Sequence, residues 1–133
     1  MAQRGDTFTI VLKKPHLEWG SYRHTNSRGI VYGEGYIPIP AQDAYTIGIL
    51  NSNGTGGKDV LGQNIFKCQS AEGYFNGHLK SQGNQNDVEY AKQFAGDNDL
   101  KAIGDWYYHV GANVGDRVKV TWTSETEILI EKI

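Results

Sequence analysis

Apolar residues in this chain recur chiefly at every second position. Residues 7–14, "TFTIVLKK", set Phe8, Ile10 and Leu12 against Thr7, Thr9 and Val11, the period of a half-buried strand. Pro15 ends that strand, and residues 15–28 show no sustained period, so they read as a long irregular arm. "GIVYGEGYIPIP", residues 29–40, returns to extended structure, because Pro38 and Pro40 remove backbone donors and keep Ile37 and Ile39 out of the helical region. "AQDAYTIGIL" predicts a two-turn helix with Ala41, Ala44 and Tyr45 on one side, and "NSNGTGGK" predicts a turn. A strand through Ile65, Phe66 and Cys68 then leads to a loop at "SAEG".

Residues 76–94 form a second polar arm, amide-rich and without a period until "VEYAKQF". A strand or short turn is expected around Ile103 to Tyr108. After a Gly-Asp turn, Val118, Val120 and Trp122 alternate. "TSET" then joins them to a last strand carrying Ile128, Ile130 and Ile133, so the chain ends in a hairpin. The sum is about seven short strands, one or two short helices and two polar arms near 23–40 and 76–94. That inventory suits a mainly β, seven-stranded open β-barrel, since rolling up a sheet removes exposed edges.

Composition adds to this pattern at three points. Glycine takes 17 of 133 positions beside eight Tyr, four Phe and three Trp, the make-up of a turn-rich β protein. The length matches one domain, residues 1–133, with a core of its own. A single cysteine allows no internal disulfide, no stretch is apolar enough to span a bilayer, and residues 1–14 lack a signal-like apolar run. A cytoplasmic protein with no membrane partner is therefore expected. The net charge of −2 is unevenly spread: residues 1–30 carry five Lys or Arg against two acids, and residues 81–133 carry five against nine. Local field rather than the sum governs docking.

The chain carries little that resembles catalytic machinery. Glu131 and Lys132, as strand neighbours, point to opposite faces and make a poor nuclease pair. "HLK", residues 78–80, has the His-x-Lys core of a phosphodiesterase motif, but Gln85 stands where that motif needs an aspartate. Cys68 as a nucleophile needs a histidine brought to it by the fold, and a lone cysteine in "NIFKCQS" is more often a small buried apolar group. His16, His24, His78 and His109 lack metal-ligand spacing, and "NSNGTGGKDV" lacks the first spaced glycine of a phosphate loop. No enzyme, metal or cofactor is expected of this domain, and a small hydrolase using Cys68 stays as a third reading.

Binding remains. Arg forks to guanine, Asn and Gln pair bidentately with adenine, and Lys, Ser and Thr hold phosphates. The first arm offers Arg23, His24, Asn26 and Arg28; the second offers Lys80, Gln82, Asn84, Gln85, Asn86 and Lys92. A carbohydrate-binding β module is the competing reading, because Trp19, Tyr22, Tyr32 and Tyr74 with nearby amides also suit sugar rings.

Two ordered landmarks weigh towards nucleic acid. "YIPIPAQDA" follows the first arm, and "AIGDWYYHVGANVGDRVKVTW" follows the second, with Trp106 ahead of a Gly-Asp-x-Val strand. In this order the chain resembles the B-three-like pseudobarrel DNA-binding domain, in particular the prokaryotic effector or target-recognition domains of restriction endonucleases of the EcoRII and BfiI kind. The resemblance implies sequence-specific recognition of double-stranded DNA by two arms in the major groove, with a nuclease domain fused or associated. Carried over by position, Tyr22, Arg23, His24, Asn26 and Arg28 fall on the N-arm, and Lys80, Gln82, Asn84, Gln85, Asn86 and Lys92 on the C-arm. Lys13 and Lys14 join Lys80 and Lys92 as phosphate contacts, while Arg23, Arg28, Gln82 and Asn84 are the expected base readers.

Overall fold

A computed structural model describes residues 2–17, 34–83, 88–99 and 101–133. Of the expected contact residues, Tyr22, Arg23, His24, Asn26, Arg28, Asn84, Gln85 and Asn86 lie outside the described residues.

Seven strands form one sheet: β1 (Thr7–Val11), β2 (Ile37–Pro38), β3 (Ile65–Ser70), β4 (Asn76–Gln82), β5 (Gln93–Gly96), β6 (Arg117–Trp122) and β7 (Glu127–Lys132). The described helices are α1 (Lys14–Leu17), α2 (Ala41–Ile47) and α3 (Ala102–His109). Strand order is β1-β6-β7-β3-β4-β5-β2, antiparallel throughout except for the parallel pair β3 and β7.

The sheet is rolled into a nearly closed barrel. Five strand spacings separate β1 from β5, about 24 Å if the sheet lay flat. Yet Phe8 of β1 stacks on Phe94 of β5 with ring centroids 6.5 Å apart. What curls the sheet is the alternation seen in the sequence. Phe8, Ile10, Phe66, Cys68, Leu79, Phe94, Val118, Val120, Trp122, Ile128 and Ile130 all point to one face and are buried. Trp122 sits centrally, 6.1 Å from Phe8, 5.7 Å from Phe66 and 6.2 Å from Phe94. Its indole N–H has no hydrogen-bond partner among the described residues, and the Phe66 ring stands at 88° to it, edge to face.

Four expectations change. First, the polar stretch from residue 76 is not irregular: β4 occupies it, pairing residue for residue with β3 from Ile65↔Lys80 to Gln69↔Asn76. Its outer face is Asn76, His78, Lys80 and Gln82, and its inner face holds only one large apolar group, Leu79, so the alternation was faint. Second, residues 102–109 are helical rather than a strand or turn. Ile103, Trp106 and Tyr107 are buried at i, i+3 and i+4, and that packing outweighs the β preference of an aromatic run. Third, α2 buries Ala44 and Ile47, leaving Ala41 and Tyr45 exposed. It ends at Gly48, whose φ of 84° closes a left-handed cap onto the Ala44 carbonyl. Fourth, Pro15 does not open an irregular arm at once but sits inside α1. The terminal hairpin matches its expectation, β6 and β7 pairing from Val118↔Lys132 to Trp122↔Ile128, although Ile133 lies beyond the strand and is exposed.

Candidate nucleic-acid interface

Two of the expected contact residues, Gln82 and Lys92, meet at one end of β5 beside Gln93. In β4, Leu79 and Ser81 point inward, which sends Lys80 and Gln82 outward. Gln82 lies directly opposite Gln93 across the ladder, and Lys92 donates its N–H to the Gln82 carbonyl at 3.0 Å. The Lys92 carbonyl in turn accepts from Ile39 N–H at 2.7 Å, so this exposed lysine has its backbone held from both sides. Gly83, which follows Gln82, has a φ of 84°, the left-handed region that favours glycine. Two side-chain amides thus stand opposite each other on one rung, with the backbone of Lys92 fixed beside it.

Lys80 is less available than the sequence suggested. Its Nζ lies 3.1 Å from Asp59 Oδ1, in a pair that solvent reaches on both sides. The partner cancels part of the field Lys80 would offer a phosphate.

Lys13 and Lys14 belong to a different place. Both are exposed at the start of α1, where Lys13 N–H donates to His16 Nδ1 at 3.0 Å. The His16 ring meets Tyr36 edge to face at 5.2 Å, and Tyr36 N–H donates to the His16 carbonyl at 3.1 Å. Tyr107 of α3 completes the clip, its hydroxyl donating to the Tyr36 carbonyl at 2.7 Å. Close approach favours glycine here: a Cβ on Gly35 would stand 3.1 Å from the Gly104 Cα and from the His16 carbonyl. Helix α1 and the chain entering β2 are therefore clamped together on α3. Burial, then the charge of Lys13, push the His16 pKa down, in keeping with a neutral ring whose Nδ1 accepts. Burial, and next the neighbouring Tyr36, push Tyr107 up.

The two groups are at opposite ends of β5. Ile37 pairs with Phe94 and Pro38 with Gln93 in antiparallel sense, so the chain enters β2 beside Ala95–Gly96 and enters β5 beside Ile39. Between them lies the length of β5, about 10 Å.

Other candidate chemistry finds structural employment. Cys68 is buried in the barrel, which raises its thiol pKa far out of the nucleophilic range. His78 and Lys80 share the outer face of β4, with His78 opposite Lys67. Tyr74 lies parallel to His109 at 3.9 Å, which covers one of the ring faces a sugar would use. Beside it, the Glu72 carboxylate accepts from Ser70 Oγ, from Tyr74 N–H and from Trp106 Nε1 at 2.8 Å, tying the β3–β4 turn to α3. Burial pulls the Glu72 pKa up, but those hydrogen bonds outweigh it and hold it below the usual value. No three His, Cys, Asp or Glu side chains converge as a metal site among the described residues, and no described helix is long and apolar enough to cross a membrane.

Sequence reasoning passed over the buried Asn51 and Asn64, while Ser81, counted with the exposed polar groups of the second arm, is itself buried. Asn51 looked like an ordinary residue of the turn, and only its burial marks it out.

No family model, no curated protein and no solved structure matches the chain. What the described residues define is a class by architecture: a small, nearly closed mixed β-barrel with polar side chains gathered at the root of its β4–β5 connection.

Proposed function

We propose that this domain binds double-stranded DNA sequence-specifically, gripping the major groove with its two polar arms. In this reading it serves as the target-recognition part of a restriction endonuclease whose nuclease domain is fused or associated. The observation that carries the reading is the rung at Gln82, Lys92 and Gln93, where two amides sit opposite each other and a lysine is fixed by backbone bonds on both sides. Base readout needs such a base, because a side chain on a moving loop cannot choose between base edges.

Two further features support it. Residues 18–33 include Arg23 and Arg28, and sixteen residues can reach about 50 Å, several times the length of β5. Lys13 and Lys14 stand exposed where that stretch begins. Phosphate contacts by Lys13, Lys14, Lys92 and a partly neutralised Lys80 give a log-log salt slope of about −3 to −4.

The test is selection of bound sequences from a random duplex library, followed by competition between the selected duplex and a scrambled one at several salt concentrations. An enriched motif, affinity falling with salt, and loss of preference in Arg23→Ala or Arg28→Ala are the expected results. Absence of an enriched motif, or preference untouched by both substitutions, overturns the reading. Binding to glycans that ignores ionic strength would put a sugar-binding module in its place.

A further inference from the structure

Asn51 is only 3% exposed, and its side chain works at both ends. Oδ1 accepts from the N–H groups of Asn53 at 2.8 Å and Gly54 at 3.4 Å, the bonds by which an asparagine shapes its own turn. Nδ2 points elsewhere, donating to the carbonyls of Val88 at 2.9 Å and Tyr90 at 3.2 Å. Asn51 N–H donates to the Glu89 carbonyl at 2.8 Å, and Asn53 Nδ2 adds a bond to Val88. Contact is so close that a Cβ on Gly54 would stand 3.0 Å from the Glu89 carbonyl oxygen. The turn after α2 is thus bolted to Val88–Tyr90, the residues through which the β4–β5 connection returns to Lys92.

A turn that only had to reverse the chain would need none of the bonds to residues 88–90. From this geometry we infer that Asn51 is a positioning residue for DNA recognition. It sets the path on which the chain returns from the connection, and so the frame in which Lys92, Gln82 and Gln93 meet the duplex. The inference rests on the DNA-binding reading above. Ser81 completes the same base, its Oγ donating to the Leu50 carbonyl at 2.7 Å, while Ala91 N–H donates to Ile49 at 3.0 Å.

Asn64 supplies the control. It too is fully buried, with Oδ1 accepting from Val60 N–H at 2.7 Å and Nδ2 donating to the Lys58 carbonyl at 3.1 Å. Neither bond touches residues 88–90, so Asn64→Ala removes buried side-chain hydrogen bonds without cutting the tie.

The experiment uses the full chain, at a temperature where circular dichroism shows each variant folded, with the selected and scrambled duplexes as probes. Asn51→Ala should lower the preference for the selected duplex about tenfold, as one spoiled base contact does, while the salt slope stays as in the parent. Asn64→Ala should keep its preference. Should Asn51→Ala not fold, Asn51→Asp deletes both donors and keeps the acceptor, and should lose preference likewise. Without DNA, amide exchange at Ala91 and Lys92 should quicken in the Asn51 variant and not in Asn64→Ala. Full preference in an Asn51 variant, equal loss in both variants, or unchanged exchange at Ala91 and Lys92 overturns the inference. A parent protein with no duplex preference sinks the DNA-binding reading instead.

Discussion

The two ends of β5 are held by different chemistry. At the β4–β5 end the ties are neutral amides, hydroxyls and backbone groups: Asn51 to Val88 and Tyr90, Ser81 to Leu50, Lys92 to Gln82. At the β2 end they are titratable rings: His16 against Tyr36, with the Tyr107 hydroxyl on the Tyr36 carbonyl. The first set holds its geometry whatever the pH. The second changes as soon as its histidine gains a proton. One barrel strand thus separates a permanent anchor from one that conditions can loosen.

Phe94 belongs to both ends, since it sits in β5 and touches Phe8, Phe66 and Trp122. Phe94→Ala should therefore erase the contrast altogether, costing about 3–5 kcal/mol in denaturant unfolding and releasing both anchors together. A loss confined to one end would show that the ends are not coupled through the core.

Tyr107→Phe sharpens the comparison. It removes the hydroxyl bond to the Tyr36 carbonyl and should cost about 1–2 kcal/mol by denaturation. Amide exchange should quicken at Tyr36 but not at Ala91 or Lys92; equal quickening at all three would argue against separate anchors.

Acid should act in the same direction. The folded pKa of His16 is lowered, so the unfolded chain takes up its proton first as the pH falls. The stability linked to His16 is present above its unfolded pKa of about 6.5 and is lost as the pH drops through the lower folded value. Protonation also ends acceptance of the Lys13 N–H by Nδ1. The protection factor of the Tyr36 amide, its exchange rate normalised to the intrinsic base-catalysed rate, should fall from about pH 6.5 downward, and His16→Gln should flatten that fall. A pH-independent protection factor at Tyr36 in the parent would contradict the assignment.

The smallest effect concerns the charge of Lys80 on the outer face of β4. Asp59→Asn releases Lys80 from its 3.1 Å partner and should strengthen duplex binding by about 0.2–1 kcal/mol at low salt, an increment that vanishes at high salt. Weaker binding on this change would remove Lys80 from the contact set.

Local pattern determined much of this molecule. Alternation at residues 7–12, 118–122 and 128–130 was enough to place a first strand and a terminal hairpin, because a strand with one buried face must repeat every two residues. The glycine cluster at 51–58 and the burial of Cys68 were legible for the same local reasons. Only the tertiary structure decided the rest. β4 is a strand because β3 and β5 hydrogen-bond to it on both sides, and its own small and polar side chains say little about that. Residues 102–109 are helical because Ile103, Trp106 and Tyr107 together cover the barrel, a decision of packing over propensity. Asn51 became a structural tie only when the fold set it beside residues 37 and 39 positions further along. A sequence records which groups can form hydrogen bonds; their partners are chosen by the folded chain, because burial penalises every polar group left without one.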